Sequence, residues 1–157
     1  AAERADPSDY DNYAIGLASE NGYAEVVKML LADDRVNPSA DNNWAIQLVS
    51  KNGHLDVVNR LIEDGCDQKI NNNYAIRYAS AHGHLDVVNR LLEVGCDPKD
   101  YYNQAIRYAS ERGHLSVVNR LLEVGCDPKA DNNYAIRWAS QNGHSEVVKL
   151  LLVNERV

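Results

Sequence analysis

Histidine and cysteine, the residue types here that most often serve catalysis or metal binding, recur at regular intervals in this 157-residue chain. The regular positions are His54, His84, His114 and His144, and Cys66, Cys96 and Cys126. A catalytic histidine needs an acid, a base or a nucleophile beside it, but these histidines only repeat the same neighbours. We therefore predict a structural role for them, no catalytic residue, no cofactor and no enzymatic activity.

One histidine, His82, lies outside this series and forms a His-Gly-His sequence with His84. Two imidazoles could contribute to a metal site. Zinc and related ions, however, normally require additional cysteine or carboxylate ligands, and this sequence does not supply them in the usual spacing. The alternative is a structural role, and we predict no metal site.

The three cysteines occupy equivalent positions, which predicts free, buried thiols. Equivalent positions in stacked helices lie roughly 10 Å apart. A disulfide requires Cα atoms within about 7 Å. Unpaired cysteines are typical of a reducing compartment, so we predict an intracellular, cytoplasmic protein.

Arginine and aromatic residues form a third regular series. Its members are Arg77, Arg107 and Arg137, the adjacent Tyr78, Tyr108 and Trp138, and the earlier Trp44, Tyr74 and Tyr134. These residue types are enriched in binding hot spots. The rings could equally pack between structural units with guanidinium groups stacked on them. The sequence leaves both interpretations open.

All these series follow from one repeated unit. An Ala-Ile pair begins at Ala14, Ala45, Ala75, Ala105 and Ala135, so the period is 31 residues once and 30 residues three times. Such a period is typical of a stacked repeat array.

Each unit contains the pattern of two helices. An asparagine precedes the first helix and is predicted to be its N-cap: Asn12, Asn43, Asn73, Asn103 and Asn133. Small residues form one face of that helix, which predicts close packing against a neighbour. A glycine such as Gly83 then ends it. The second helix is apolar around most of its circumference, so it must be covered on more than one side.

The unit resembles the ankyrin repeat. The resemblance rests on Gly83-His84, Val88, Leu91-Leu92 and Gly95-Cys96-Asp97, which correspond to Gly-His, Val, Leu-Leu and Gly-Ala-Asp. The family's Thr-Pro-Leu-His is replaced here by Tyr74 to Arg77, and the period is shorter than the usual ankyrin period of about 33 residues. The shortening falls where ankyrin repeats project a β-hairpin, so we expect a short loop there.

We accordingly predict an all-α solenoid of stacked helix-turn-helix repeats over residues 1–157. The expected repeats are 9–39, 40–69, 70–99, 100–129 and 130–157, and together they are expected to be a segment of a longer array. The net charge of −7 argues against nucleic acid as a partner, which requires a basic face. No apolar run approaches the roughly 20 residues of a membrane span.

Positions that vary between copies are available for recognition, and the fourth copy deviates most. We predict a contact surface centred on Tyr101 and Tyr102. It consists of Tyr101, Tyr102, Gln104, Arg107, Tyr108, Glu111, Arg112, Tyr74, Arg77, Tyr78, His82, Tyr134, Arg137 and Trp138.

The predicted function is a non-catalytic scaffold that binds a protein or peptide through its concave face and variable loops. The alternative is a structural spacer or targeting arm of a larger multidomain protein, such as an enzyme. We expect a monomer, with end-to-end self-stacking as the alternative.

Overall fold

The computed structural model describes residues 5–66 and 70–154, and the side chains of residues 11 and 70–72 also lie outside this description. Ten α-helices occupy the described part of the chain. They are α1 (Asp9–Glu20), α2 (Ala24–Leu31), α3 (Ala40–Asn52), α4 (Leu55–Glu63), α5 (Ile70–Ala81), α6 (Leu85–Glu93), α7 (Asp100–Glu111), α8 (Leu115–Glu123), α9 (Ala130–Gln141) and α10 (Ser145–Asn154). The predicted all-α architecture is confirmed. The ends of the predicted repeats 40–69 and 130–157 fall outside the described residues.

The odd-numbered helices form one row and the even-numbered helices another. Odd-numbered neighbours pack more closely, because they meet through small side chains such as Ala75, Ala79 and Ser80, all of which are buried. The even-numbered helices meet through larger residues, including Val88 and Leu91. Closer spacing in one row bends the array towards it, so the odd-numbered helices line the concave side.

The three cysteines lie just beyond even-numbered helices, where they are buried and form no disulfide bond within the described residues, as predicted. Burial raises the pKa of the Cys126 thiol to about 12. A thiol with this pKa is protonated at neutral pH and is a poor nucleophile.

The prediction that asparagines cap the odd-numbered helices is wrong. The asparagine ends a left-handed turn that directly precedes the right-handed part of the helix, as at Asp131, Asn132 and Asn133, whose φ angles are 55°, 56° and 60°. Asn and Asp tolerate this conformation better than other non-glycine residues do. Asn103 instead uses its Oδ1 atom to accept a hydrogen bond from the backbone N–H of Asp127, at 2.9 Å.

This asparagine bond is present in the first, third and fourth repeats, where it ties the start of the first helix to the loop after the second. Asn12 binds the N–H of Asn37 at 2.6 Å, and Asn73 binds the N–H of Asp97 at 3.0 Å. The described residues contain no β-strand, and the connection from α6 to α7 is only residues 94–99. A short loop therefore replaces the hairpin, as predicted.

Histidines join one repeat to the next. The Nε2 atoms lie close to carbonyl oxygens near the end of the odd-numbered helix of the preceding repeat. The distances are 3.2, 2.9, 3.1 and 3.0 Å for His54, His84, His114 and His144. Each ring also lies against the glycine of the preceding repeat, where a Cβ atom on Gly83, for example, would be 2.6 Å from Nδ1 of His114. The predicted structural role of these histidines is confirmed.

Candidate functional site

A cleft lies on the concave side where α5 meets α7. Its volume is about 260 Å³. Six side chains line it: Tyr74, Arg77, Tyr78, Tyr101, Gln104 and Tyr108. All six belong to the predicted contact surface, so the structure brings this part of the prediction together in one place. A water molecule takes up about 30 Å³ in the liquid, so the cleft has room for roughly nine waters. This space accommodates about one amino-acid side chain.

Arg77 forms the floor of the cleft rather than an exposed part of the helix, because it is only 4% exposed. Its guanidinium carbon lies 4.0 Å from the ring centre of Tyr74 and 4.8 Å from that of Tyr101. One of its N–H groups donates to Oε1 of Gln104. The proposed stacking of arginine on the rings is thus present, while the outer parts of the rings stay accessible. The stacking interpretation of this series is confirmed at this site, and binding by the same rings stays a prediction.

Tyr101 and Tyr102 occupy the left-handed turn at the start of α7, with φ angles of 50° and 59°. They are 52% and 77% exposed, and their rings meet edge to face at 6.1 Å. Neither ring fills the core. The corresponding positions in the fifth repeat hold Asp131 and Asn132, which suit this backbone better.

A second cluster of predicted residues lies where α7 meets α9. Arg107 stacks on the ring of Tyr134 at 4.5 Å and forms an ion pair of 2.6 Å with Asp131. The Tyr134 hydroxyl donates to Oε2 of Glu111 at 2.7 Å. Burial raises the pKa of Tyr134 to about 12, and the hydrogen bond to the Glu111 carboxylate acts in the same direction. The Arg107 guanidinium and the Tyr134 hydroxyl are therefore both engaged by other side chains of the protein.

The remaining predicted residues lie at the margins. Trp138 packs against Tyr134, with ring centres 5.6 Å apart, and Arg137 is exposed. Arg112 donates to the carbonyl oxygen of Ala81 at 3.1 Å and lies 3.2 Å from Nε2 of His82. Arg112 thereby joins the third and fourth repeats, so its first role is structural.

Asp131 is a residue of this region that the sequence analysis missed. It pairs with an arginine of the preceding repeat, 24 positions earlier in the chain. The sequence did contain a signal for this residue. Aspartate occurs at the same repeat position in the second and fifth repeats, as Asp41 and Asp131, and tyrosine replaces it in the fourth.

The structure also bears on metals and membranes. Within residues 5–66 and 70–154, no three His, Cys, Asp or Glu side chains are placed to hold a metal ion. At the His-Gly-His sequence, Nδ1 of His82 lies 2.9 Å from the carbonyl oxygen of Tyr78, and Nε2 of His84 lies 2.9 Å from that of Lys51. No helix in the described part of the chain is long and apolar enough to cross a membrane.

Comparison with known proteins decides the family. The family model described as ankyrin repeats, in three copies, matches residues 15–102 and also residues 76–157. The chain belongs to the ankyrin repeat family. A comparison with curated proteins found no matching relative. Ankyrin repeats are generally protein interaction modules and are typically not catalytic. In this ankyrin array, the cleft between α5 and α7 lies on the side formed by the first helices of the repeats.

Proposed function

We propose that this ankyrin array is a non-catalytic scaffold that binds a protein or peptide at the cleft between α5 and α7 and at the adjoining turn. The observation that carries the proposal is the pair Tyr101 and Tyr102, two exposed aromatic residues on left-handed backbone. A left-handed conformation costs an ordinary L-residue roughly 1–2 kcal/mol, and less for Asn or Asp. The fourth repeat therefore has two tyrosines, which disfavour the left-handed conformation, at positions where the fifth repeat has Asp131 and Asn132, which tolerate it.

Such local strain is typical of functional sites, where a side chain is retained for what it contacts rather than for stability. Tyrosine also suits binding, since its ring buries a large area and its hydroxyl forms hydrogen bonds. The first repeat has one tyrosine at the same position, Tyr10, with a φ angle of 52° and 90% exposure. Only in the fourth repeat does the tyrosine lie over an arginine of the preceding repeat, at a cleft.

The proposal extends to the other predicted properties. We propose a protein or peptide partner, a cytoplasmic location consistent with three buried cysteines that form no disulfide bond within the described residues, and a monomer in solution. End-to-end stacking of copies is the alternative to the monomer, because Met29 near one end and Val153 near the other are exposed. Light scattering over a dilution series distinguishes them: a constant monomer mass supports the proposal, and a mass that rises with concentration supports stacking.

The test of binding uses a double variant, Tyr101→Asp with Tyr102→Asn, which gives the fourth repeat the turn of the fifth. The native chain and the variant are each used to select peptides from a displayed random library, and binding is then measured by calorimetry. We expect at least tenfold weaker binding by the variant together with higher thermal stability. Loss of binding in a more stable protein is not explained by unfolding.

The matched control is Tyr10→Asp, the same chemical change at the same position of the first repeat. It should leave peptide affinity unchanged. Equal binding by the native chain and the double variant would contradict the proposal and favour the alternative, a structural spacer or targeting arm.

A further inference from the structure

Two pairs of accessible tyrosines lie at the cleft, one pair from each of two neighbouring repeats. On α5, the rings of Tyr74 and Tyr78 stack 5.7 Å apart with an interplanar angle of 18°, and each residue is 37% exposed. At the start of α7, Tyr101 and Tyr102 meet edge to face. The Arg77 guanidinium contacts one ring of each pair, so the two pairs form one continuous aromatic surface.

The charged groups at this surface include both signs. Arg77 is positive, but it is only 4% exposed, and it already stacks on two rings and donates to Gln104. Asp100, directly before Tyr101, has a negatively charged carboxylate. Because a positive and a negative group lie close to the same cleft, neither an anion nor a cation is strongly favoured there. We therefore expect a ligand without charge.

An uncharged ligand of this surface must pack on ring faces and also suit the polar groups beside them, which are phenol hydroxyls and the Gln104 amide. Proline meets both requirements. Its ring is apolar, and its tertiary amide has a carbonyl acceptor but no N–H that needs a partner. Proline-rich segments also adopt the polyproline II conformation before binding, so they lose little conformational entropy. Grooves lined by aromatic side chains commonly recognise this conformation.

The dimensions of the site agree with such a segment. A polyproline II helix rises about 3.1 Å per residue with three residues per turn, so prolines one turn apart are separated by about 9 Å. The guanidinium carbon of Arg77 lies 4.0 Å from the ring centre of Tyr74 and 4.8 Å from that of Tyr101, so these two centres are no farther apart than one such turn. A single segment can consequently contact both tyrosine pairs.

We infer that the cleft and its two tyrosine pairs bind a proline-rich segment of a partner protein in the polyproline II conformation. One proline ring occupies the cleft and packs on Tyr101, and the segment continues over the pair on α5. The inference rests on the proposed function, because it names the chemistry of the partner at the same cleft. It requires of Arg77 only that it support the two rings on which it already stacks.

Peptides selected by the native chain provide the first test. Those whose binding depends on Tyr101 and Tyr102 should contain a proline whose replacement by alanine weakens binding about tenfold. Valine is the matched replacement, because it retains an apolar side chain but restores the N–H and favours β backbone. We expect valine to weaken binding nearly as much as alanine does.

Salt provides a second measurement on the same peptides. Raising the salt concentration from about 50 to about 500 mM should change the affinity by less than about threefold, because the expected contact is not ionic. A larger fall would indicate a charged ligand.

Two variants of Tyr101 provide the third test. Tyr101→Phe keeps the aromatic ring and Tyr101→Leu removes it, whereas both residues are unbranched at Cβ and should incur a similar cost in the left-handed turn. We expect the leucine variant to bind the proline-containing peptides at least about tenfold more weakly than the phenylalanine variant. Thermal unfolding followed by circular dichroism should give similar midpoints for the two variants, so that the difference in affinity does not reflect unfolding.

The outcomes separate the two proposals. Peptides that depend on Tyr101 and Tyr102 overturn the inference if they lack proline, accept valine in its place, bind the two variants of Tyr101 equally, or weaken more than about threefold in high salt. These results leave the proposed function intact. Peptides whose binding does not depend on the two tyrosines, or the absence of any bound peptide, overturn both proposals.

Discussion

Nε2 of His114 lies 3.1 Å from the carbonyl oxygen of Ala81, one repeat earlier in the chain. Arg112 donates to the same oxygen at 3.1 Å. The second and fifth repeats contribute equivalent pairs, in which an asparagine accompanies the histidine: Asn52 with His54 on the carbonyl oxygen of Glu20, and Asn142 with His144 on that of Glu111. The ends of α1, α5 and α7 are thereby fixed to the repeats that follow them.

The partly buried ring of His114 predicts a pH dependence of stability, because the effect of burial on its pKa outweighs the opposite effect of the bond to Ala81. Burial lowers the pKa of His114 below its ordinary value of 6.5, and the nearby charges of Arg112, His82 and His84 act in the same direction. The unfolded chain therefore binds the proton more readily than the folded chain. The contribution of His114 is complete above pH 6.5 and is lost as the pH falls through the lower folded value.

Urea unfolding of the native chain and of His114→Gln tests this prediction. Glutamine retains an N–H donor but does not titrate. We expect the native chain to lose more free energy of unfolding than the variant between pH 7.5 and pH 5. Parallel losses in the two proteins would show that His114 does not contribute.

The glycine opposite each histidine predicts a second effect on stability. Gly83 has a φ angle of +80°, and a Cβ atom there would lie 2.6 Å from the His114 ring. Gly143 has a φ angle of +77°, but no atom lies within 4 Å of its added Cβ in the described structure. Alanine at Gly143 should therefore cost only the left-handed strain, roughly 1–2 kcal/mol.

At Gly83 the displacement of the ring adds to that strain. We expect Gly83→Ala to destabilise the chain by about 1–3 kcal/mol more than Gly143→Ala does, measured by urea unfolding. Equal losses would show that the histidine ring moves aside without cost.

The asparagine that closes the fourth repeat gives a third prediction. Asn103 combines a left-handed backbone, with a φ angle of 57°, and a hydrogen bond to the Asp127 N–H. Asn103→Gly keeps the backbone accessible but removes the acceptor, so it should cost about 1 kcal/mol. Asn103→Ala should cost roughly 1–2 kcal/mol more, because alanine also disfavours the turn. A smaller loss for alanine than for glycine would contradict this account.

The buried thiol gives a fourth prediction. Burial raises the pKa of Cys126 from 9.0 to about 12. The folded chain retains this proton more strongly, so the contribution to stability is complete below pH 9 and is lost as the pH rises towards 12. At pH 8, iodoacetamide should label Cys126 far more slowly in the folded chain than in urea, as followed by peptide mass spectrometry. Equally fast labelling would show an accessible thiolate.

Much of the architecture could be predicted from the sequence. The spacing of the Ala-Ile pairs predicted the repeats, and the short interval between Gly95 and Gln104 predicted the loop that replaces a hairpin. The asparagine prediction was wrong because Asn is favoured both as an N-cap and in left-handed backbone, and sequence alone does not choose between them. The side-chain bond from Asn103 to Asp127 joins residues 24 positions apart, and this is a tertiary contact.

The sequence by itself predicted the family and the order of helices, because both follow from periodic, local patterns. Its fourteen predicted contact residues include the six side chains that line the cleft, but only the structure separates these six from the rest. The tertiary structure decided that Arg77 is buried between rings of two repeats, that Asp131 neutralises Arg107, and that the tyrosine pair lies on strained backbone. The physical reason is that these properties depend on how one repeat is placed against the next. A residue's pattern within its own repeat does not specify which group of the neighbouring repeat it will meet.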